Sequence, residues 1–228
     1  MKSQQSGFTL VEIAIVLVII GLLLGGILKG QELINSAKVK NLANDFRVIP
    51  TYIYAYQDKY KSLPGDDGVA DKHVNGATNA TTPAGGIGNG VINGVMFSTT
   101  ATDETYLFWQ HVRLANLASG STNTADAPTY IPKNALGGDL GINSATTAQL
   151  QIAGMTGTYQ VCSKGVLGRF VKQLDLQMDD GQPCTGSLRA VADGAALGAT
   201  AVKAPNAPAS CTGADIDDAT IYTVCMTF

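Results

Sequence analysis

Charge is scarce in this sequence. Asp, Glu, Lys and Arg make up 14% of its 228 residues, against about 25% in an ordinary soluble domain, and the formal net charge is only -3. Such a balance supplies no dense basic face, which argues against a protein built to neutralise nucleic-acid phosphates while leaving room for a local patch that touches DNA, and no nucleic-acid partner is required. Histidine is scarcer still, His73 and His111 being the two available as bases. Neither G-x-S-x-G nor H-E-x-x-H occurs, no cysteine stands in a nucleophile context, and the chain is read as a non-enzyme with no required cofactor. The glycine-rich stretch GGIGNGVING fails to complete G-x-G-x-x-G, because Val91 and Asn93 stand where the last glycine is needed, and no nucleotide site is expected.

Cysteine is absent until Cys162. The four that follow, Cys162, Cys184, Cys211 and Cys225, form no C-x-x-C pair, which argues against zinc or dithiol redox chemistry. An even set of late cysteines behind a membrane-directing segment suits disulfides in an oxidising compartment, the alternative being four buried free thiols. Closing neighbouring loops costs least chain entropy, and that pairs Cys162 with Cys184 and Cys211 with Cys225 out of three connectivities.

What the chain has in excess is apolar residues, 45% of the total, concentrated near the start. FTLVEIAIVLVIIGLLLGGIL, residues 8–28, is long enough for a membrane helix of about 20 residues. A secretory signal would have a shorter apolar core with its cleavage site behind it. Here a short polar leader, MKSQQSG, ends in Gly7 directly before the run. Glu12 is the one ionisable side chain inside the segment. A carboxylate there costs at least about 2.5 kcal/mol on insertion scales, so it needs a partner. An amine exposed on Phe8 by cleavage would lie one turn away, on the same chain or on a staggered neighbour, and such a pair fixes register more than it adds stability. Gly21, Gly25, Gly26 and Gly30 weaken an isolated helix but permit close helix approach, or local unwinding on leaving the bilayer.

Beyond Lys29, Leu42, Phe46, Ile49, Ile53, Tyr56, Tyr60 and Leu63 recur every three or four residues and mark one apolar face of a continuing helix. Pro50 should kink it, and Pro64, Gly65, Asp66, Asp67 and Gly68 should end it. Tyr52, Tyr54, Tyr56 and Tyr60 read as packing residues rather than a stacking platform. Residues 65–100 read as a long loop, 103–120 as a short helix ended by Gly120, and 121–157 as largely unpatterned. TYQVC, SLRAV and TIYTVCMTF read as strands and RFVKQLDLQM as a helix. The expected organisation is a leader at 1–7, a membrane helix at 8–29, its amphipathic continuation at 30–63 and a globular head at 64–228. The fold class is α+β, a long N-terminal helix packed on an antiparallel sheet.

Gly7, Phe8, Thr9, Leu10, Val11 and Glu12, opening an uninterrupted apolar run, closely resemble the class III signal of type IV prepilins and type II secretion pseudopilins. The resemblance implies cleavage after Gly7 by a prepilin peptidase, methylation of Phe8, and an assembly role for Glu12 against Phe8 of a neighbouring subunit. Many major pilins carry a proline near the end of the run, where this sequence has Lys29. SLPGDD, the Gly/Asn loop and the helix around Trp109, Gln110 and His111 resemble a subgroup of pilin-like proteins with large heads. The implied fold is again α+β. The implied function is a filament subunit, with itself, the peptidase, the assembly machinery and the inner membrane as partners, passing from the bacterial inner membrane to an extracellular pilus or periplasmic pseudopilus. The head's size and the cysteines lean toward a pilus. The alternative is a membrane-anchored periplasmic module that recognises glycan or DNA and does not polymerise.

Asp175, Asp179 and Asp180, followed by Gly181, form the densest acidic patch, with Asp217 and Asp218 near the later cysteines. Carboxylates around a glycine turn can ligate calcium, and the secretion pseudopilins bind calcium in a C-terminal loop. D-x-D-x-D-G spacing is lacking, and a plain helix-ending turn is the competing account.

Overall fold

A computed structural model of the protein describes residue 7 and residues 9–146 and 149–228. The chain divides into two compact units, Met1–Lys38 and Val39–Phe228. The first helix, α1, runs Leu10–Tyr60 and contributes to both.

In the first unit, Thr9 starts α1. Its hydroxyl accepts the Glu12 N–H at 3.3 Å, while the Glu12 carboxylate accepts the Thr9 N–H at 2.8 Å. This is a capping box, which satisfies two donors that a helix start otherwise leaves free. From Leu10 to Lys29 every side chain is exposed, so the apolar run has no protein core of its own. α1 is long and apolar enough there to cross a membrane.

In the second unit, α1 buries Val39, Leu42, Ala43, Phe46, Ile49, Ile53 and Tyr56. The helix continues through Pro50 and ends at Tyr60, four residues before Pro64. The stop is Lys61, whose φ of 58° is left-handed and whose N–H closes on the Gln57 carbonyl at 2.9 Å.

The remaining elements are α2 (Ala70–His73), α3 (Glu104–Leu114), α4 (Ala127–Tyr130), β1 (Leu140–Ser144), β2 (Tyr159–Leu167), α5 (Gly168–Met178), β3 (Leu188–Ala192) and β4 (Ile221–Thr227). The strands form one antiparallel sheet in the order β1-β2-β4-β3. The fold class is therefore α+β. The apolar face of α1 shares a core with Trp109 and Val112 of α3, Ile142, Val161, Leu188 and Val224 of the sheet, and Phe170, Val171 and Leu174 of α5.

Three strands fall where alternation placed them. β1 does not, because all five residues of LGINS are buried and no alternation survives. Gly141 within it could carry no Cβ, since one would sit 2.4 Å from the Met96 carbonyl. α3 also departs from a one-sided helix, with Glu104 through Arg113 buried all round.

Candidate functional site

The N-terminal site is built on the helix start. Both the Thr9 N–H and the Thr9 hydroxyl donate to Glu12 Oε2, each at 2.8 Å. The carboxylate of Glu12, the fifth residue after the expected cleavage point, is thus oriented along the first turn. Gly7 is exposed. Phe8, expected to carry the new amine, lies outside the described residues with Met1–Ser6. Thr9 as the partner of Glu12 was legible in the T-x-x-E spacing before an apolar run, but the sequence reading used Thr9 only as part of the signal.

At the other end of the chain, α5 closes on the acidic turn. One carboxylate oxygen from each of Asp175, Asp179 and Asp180 lies within 4.8 Å of the others, about twice the 2.4 Å of a calcium–oxygen bond. Each acid also ties down local backbone. Asp175 Oδ1 accepts the Gly181 N–H at 2.7 Å, Asp179 Oδ2 the Leu188 N–H at 2.7 Å, and Asp180 Oδ1 the Gln182 N–H at 2.8 Å. Asp175 is fully buried, and its Oδ2 has no partner among the described residues. Burial pushes its carboxyl up to about 7, with Asp180 and Asp179 adding to the effect against the Gly181 N–H. The turn is the helix-ending structure, and its three acids do converge. Asp217 and Asp218 are engaged elsewhere, Asp217 with the Ala219 and Thr220 N–H groups and Asp218 with Lys172 at 2.5 Å.

The cysteine pairing expected from loop length is corrected by the structure. The bonds are Cys162–Cys225 and Cys184–Cys211, and no cysteine is free. Cys162 on β2 stands directly opposite Cys225 on β4, with Cα atoms 4.1 Å apart. Closing the longer loops costs only about 1–2 kcal/mol more than the short ones, and sheet register overrides a difference of that size.

The Gly/Asn stretch is held by buried acids. Asp66 accepts the N–H groups of Gly88, Asn89 and Gly90 at 2.5, 3.2 and 2.7 Å, and Glu104 Oε2 accepts that of Asn93 at 2.6 Å. Asp67 Oδ2 takes the Tyr56 hydroxyl at 2.9 Å and His73 at 2.7 Å. His111 is fully buried. Its Nδ1 accepts the Gly65 N–H at 2.9 Å while Nε2 donates to the Thr78 carbonyl at 2.8 Å. Both histidines therefore serve in structural bonds. SLPGDD, read as a helix breaker, is the anchor of the loop that follows it.

Against this geometry, residues 2–28 match the model of the prokaryotic N-terminal methylation motif. That motif is the prepilin-type signal of type IV pilins and pseudopilins, which are structural subunits rather than enzymes. The chain accordingly carries a prepilin-type methylation motif at its N-terminus, on an apolar helix long enough to cross a membrane. No curated protein and no solved structure matches it.

Proposed function

We propose that the peptidase cuts between Gly7 and Phe8, and that the processed chain assembles through the apolar part of α1 into a pilus. The observation that carries this is the placement of Glu12, a lone carboxylate in the first turn of a helix of exposed apolar residues, within the methylation motif. Lipid can cover the apolar side chains, but only a polar partner compensates the acid. In the filament that partner is the Phe8 amine of a staggered subunit, which sets the axial offset. The test is Glu12→Gln, with processing and membrane insertion followed by mass spectrometry and fractionation. Filaments are expected to vanish while both earlier steps persist. Normal filament yield would overturn the pairing of Glu12 with Phe8, and a wild-type chain that is processed and inserted but never enters filaments would favour the non-polymerising anchored module.

Calcium at the acidic turn is a separate proposal, supported by the convergence of Asp175, Asp179 and Asp180 and by the orphaned Asp175 oxygen. Calcium is expected to raise the melting midpoint of wild type and not of Asp175→Asn. An equal midpoint in calcium and in chelator would leave a proton as the sole neutraliser of Asp175.

A further inference from the structure

A cavity of about 200 Å³ lies within the second unit where α1, α3 and β1 meet, lined among others by Asn44, Asp45, Tyr52, Trp109, Arg113 and Lys133. Its polar lining is unusual in being unspent. The side chains of Asn44, Asp45, Tyr52 and Trp109 make no hydrogen bond among the described residues, although Asp45 and Tyr52 are half-buried and Trp109 is only 5% exposed. A carboxylate, an amide, a phenol and an indole N–H together supply both acceptors and donors. The Tyr52 and Trp109 rings add apolar wall.

The charges around the cavity cancel. Lys133 is ion-paired with Asp139, and Arg113 donates to the Ser121 carbonyl at 2.8 Å and the Tyr130 carbonyl at 2.6 Å, so Asp45 and Arg113 remain as one acid and one base. Asp45 has no cationic partner within salt-bridge distance among the described residues, and burial pushes its carboxyl up to about 6. A ligand bearing net charge would be drawn to one of these two groups and repelled by the other, so the cavity selects no sign of charge, whereas a neutral ligand rich in hydroxyls can hydrogen-bond to all of them. The size agrees, since drug-sized pockets begin at about 300 Å³.

We propose that this cavity binds a neutral monosaccharide-sized polyol, its C–H face against Tyr52 and its hydroxyls on Asp45, Asn44 and the Trp109 N–H. The proposal does not depend on whether the chain polymerises. Trp109 is the sole tryptophan, so its emission reports the cavity directly. The full chain, in a detergent without a sugar headgroup, is titrated with galactose and N-acetylglucosamine, and with glucuronate and glucosamine as charged counterparts. A saturable emission change is expected with a neutral sugar and a markedly weaker one with the charged pair. Asp45→Ala and Tyr52→Phe are each expected to weaken binding about tenfold with the melting midpoint unchanged. Tyr52→Phe removes one hydroxyl from a half-exposed position, and Asn44→Ala lies on an exposed helix face, so folding does not limit the test. The proposal is overturned if neither neutral sugar gives a saturable response, if the charged sugars bind as tightly, or if the variants bind like wild type.

Discussion

Buried ionisable residues give this protein opposing responses to pH. Burial pushes Glu104 up to about 7, with Asp66 and Asp103 adding to it against the Asn93 N–H, and its Oε1 has no partner among the described residues. Between its ordinary value of 4.5 and about 7 the folded chain holds a proton that the unfolded chain has lost, so stability falls as pH rises through that window. His111 acts in the other sense. Burial holds it below 6.5, the unfolded chain takes the proton first, and stability falls as pH drops below that value. Glu104→Gln is expected to raise the melting midpoint near pH 8 by the equivalent of about 1–3 kcal/mol, the cost of an unsatisfied buried group. It should leave the midpoint near pH 4 little changed, and calorimetry at the two values checks both. None of this was legible in the sequence, where Glu104 and His111 read as members of a one-sided helix. Nothing local signals that a helix will be covered on every side.

At the scale of elements, the sequence spoke clearly wherever one face was buried and the other wet. The α1 face at Leu42, Phe46, Ile49 and Ile53 is of that kind, and the three strands read from the alternation of their sequences were found although β2 and β4 are buried along most of their length. It was silent on β1, whose burial is uniform, and misleading on the disulfides, whose partners are set by register rather than loop length. Non-reduced digestion is expected to yield peptides joining Cys162 to Cys225 and Cys184 to Cys211. Replacing Cys184 and Cys211 together by Ser should cost about 3.5 kcal/mol on the chain-entropy estimate for their separation of 27 residues, read as a shift in denaturant midpoint. The β2-to-α5 junction is equally exacting, since a Cβ on Gly168 would sit 2.0 Å from the Asp217 carbonyl. Gly168→Ala is expected to destabilise by about 1–3 kcal/mol in the same measurement.

For the whole molecule, the functional signal and the fold were legible to different degrees. Gly7, Thr9 and Glu12 stand within six consecutive residues, so the processing signal needs no tertiary structure to be read. The acidic turn was visible as a cluster of carboxylates, but the buried, unpartnered oxygen that makes it interesting depends on how α5 packs. The cavity on α1 and α3 combines residues from Asn44 to Leu140 and had no local signature at all. Protein isolated from cells that contain the peptidase is expected to begin with N-methylated Phe8 by mass spectrometry. An intact Met1 would place the chain outside that pathway. The strand order has a final implication for biogenesis. β3 pairs only with β4, and β4 also pairs with β2. Until Ile221–Thr227 has emerged from the ribosome, β3 waits without the strand it pairs with. A premature stop codon just upstream of Ile221 would therefore leave only the β1–β2 pair, with β2 open on one edge and β3 without its partner strand, a sticky polypeptide for quality-control proteases even though most of the head had been translated.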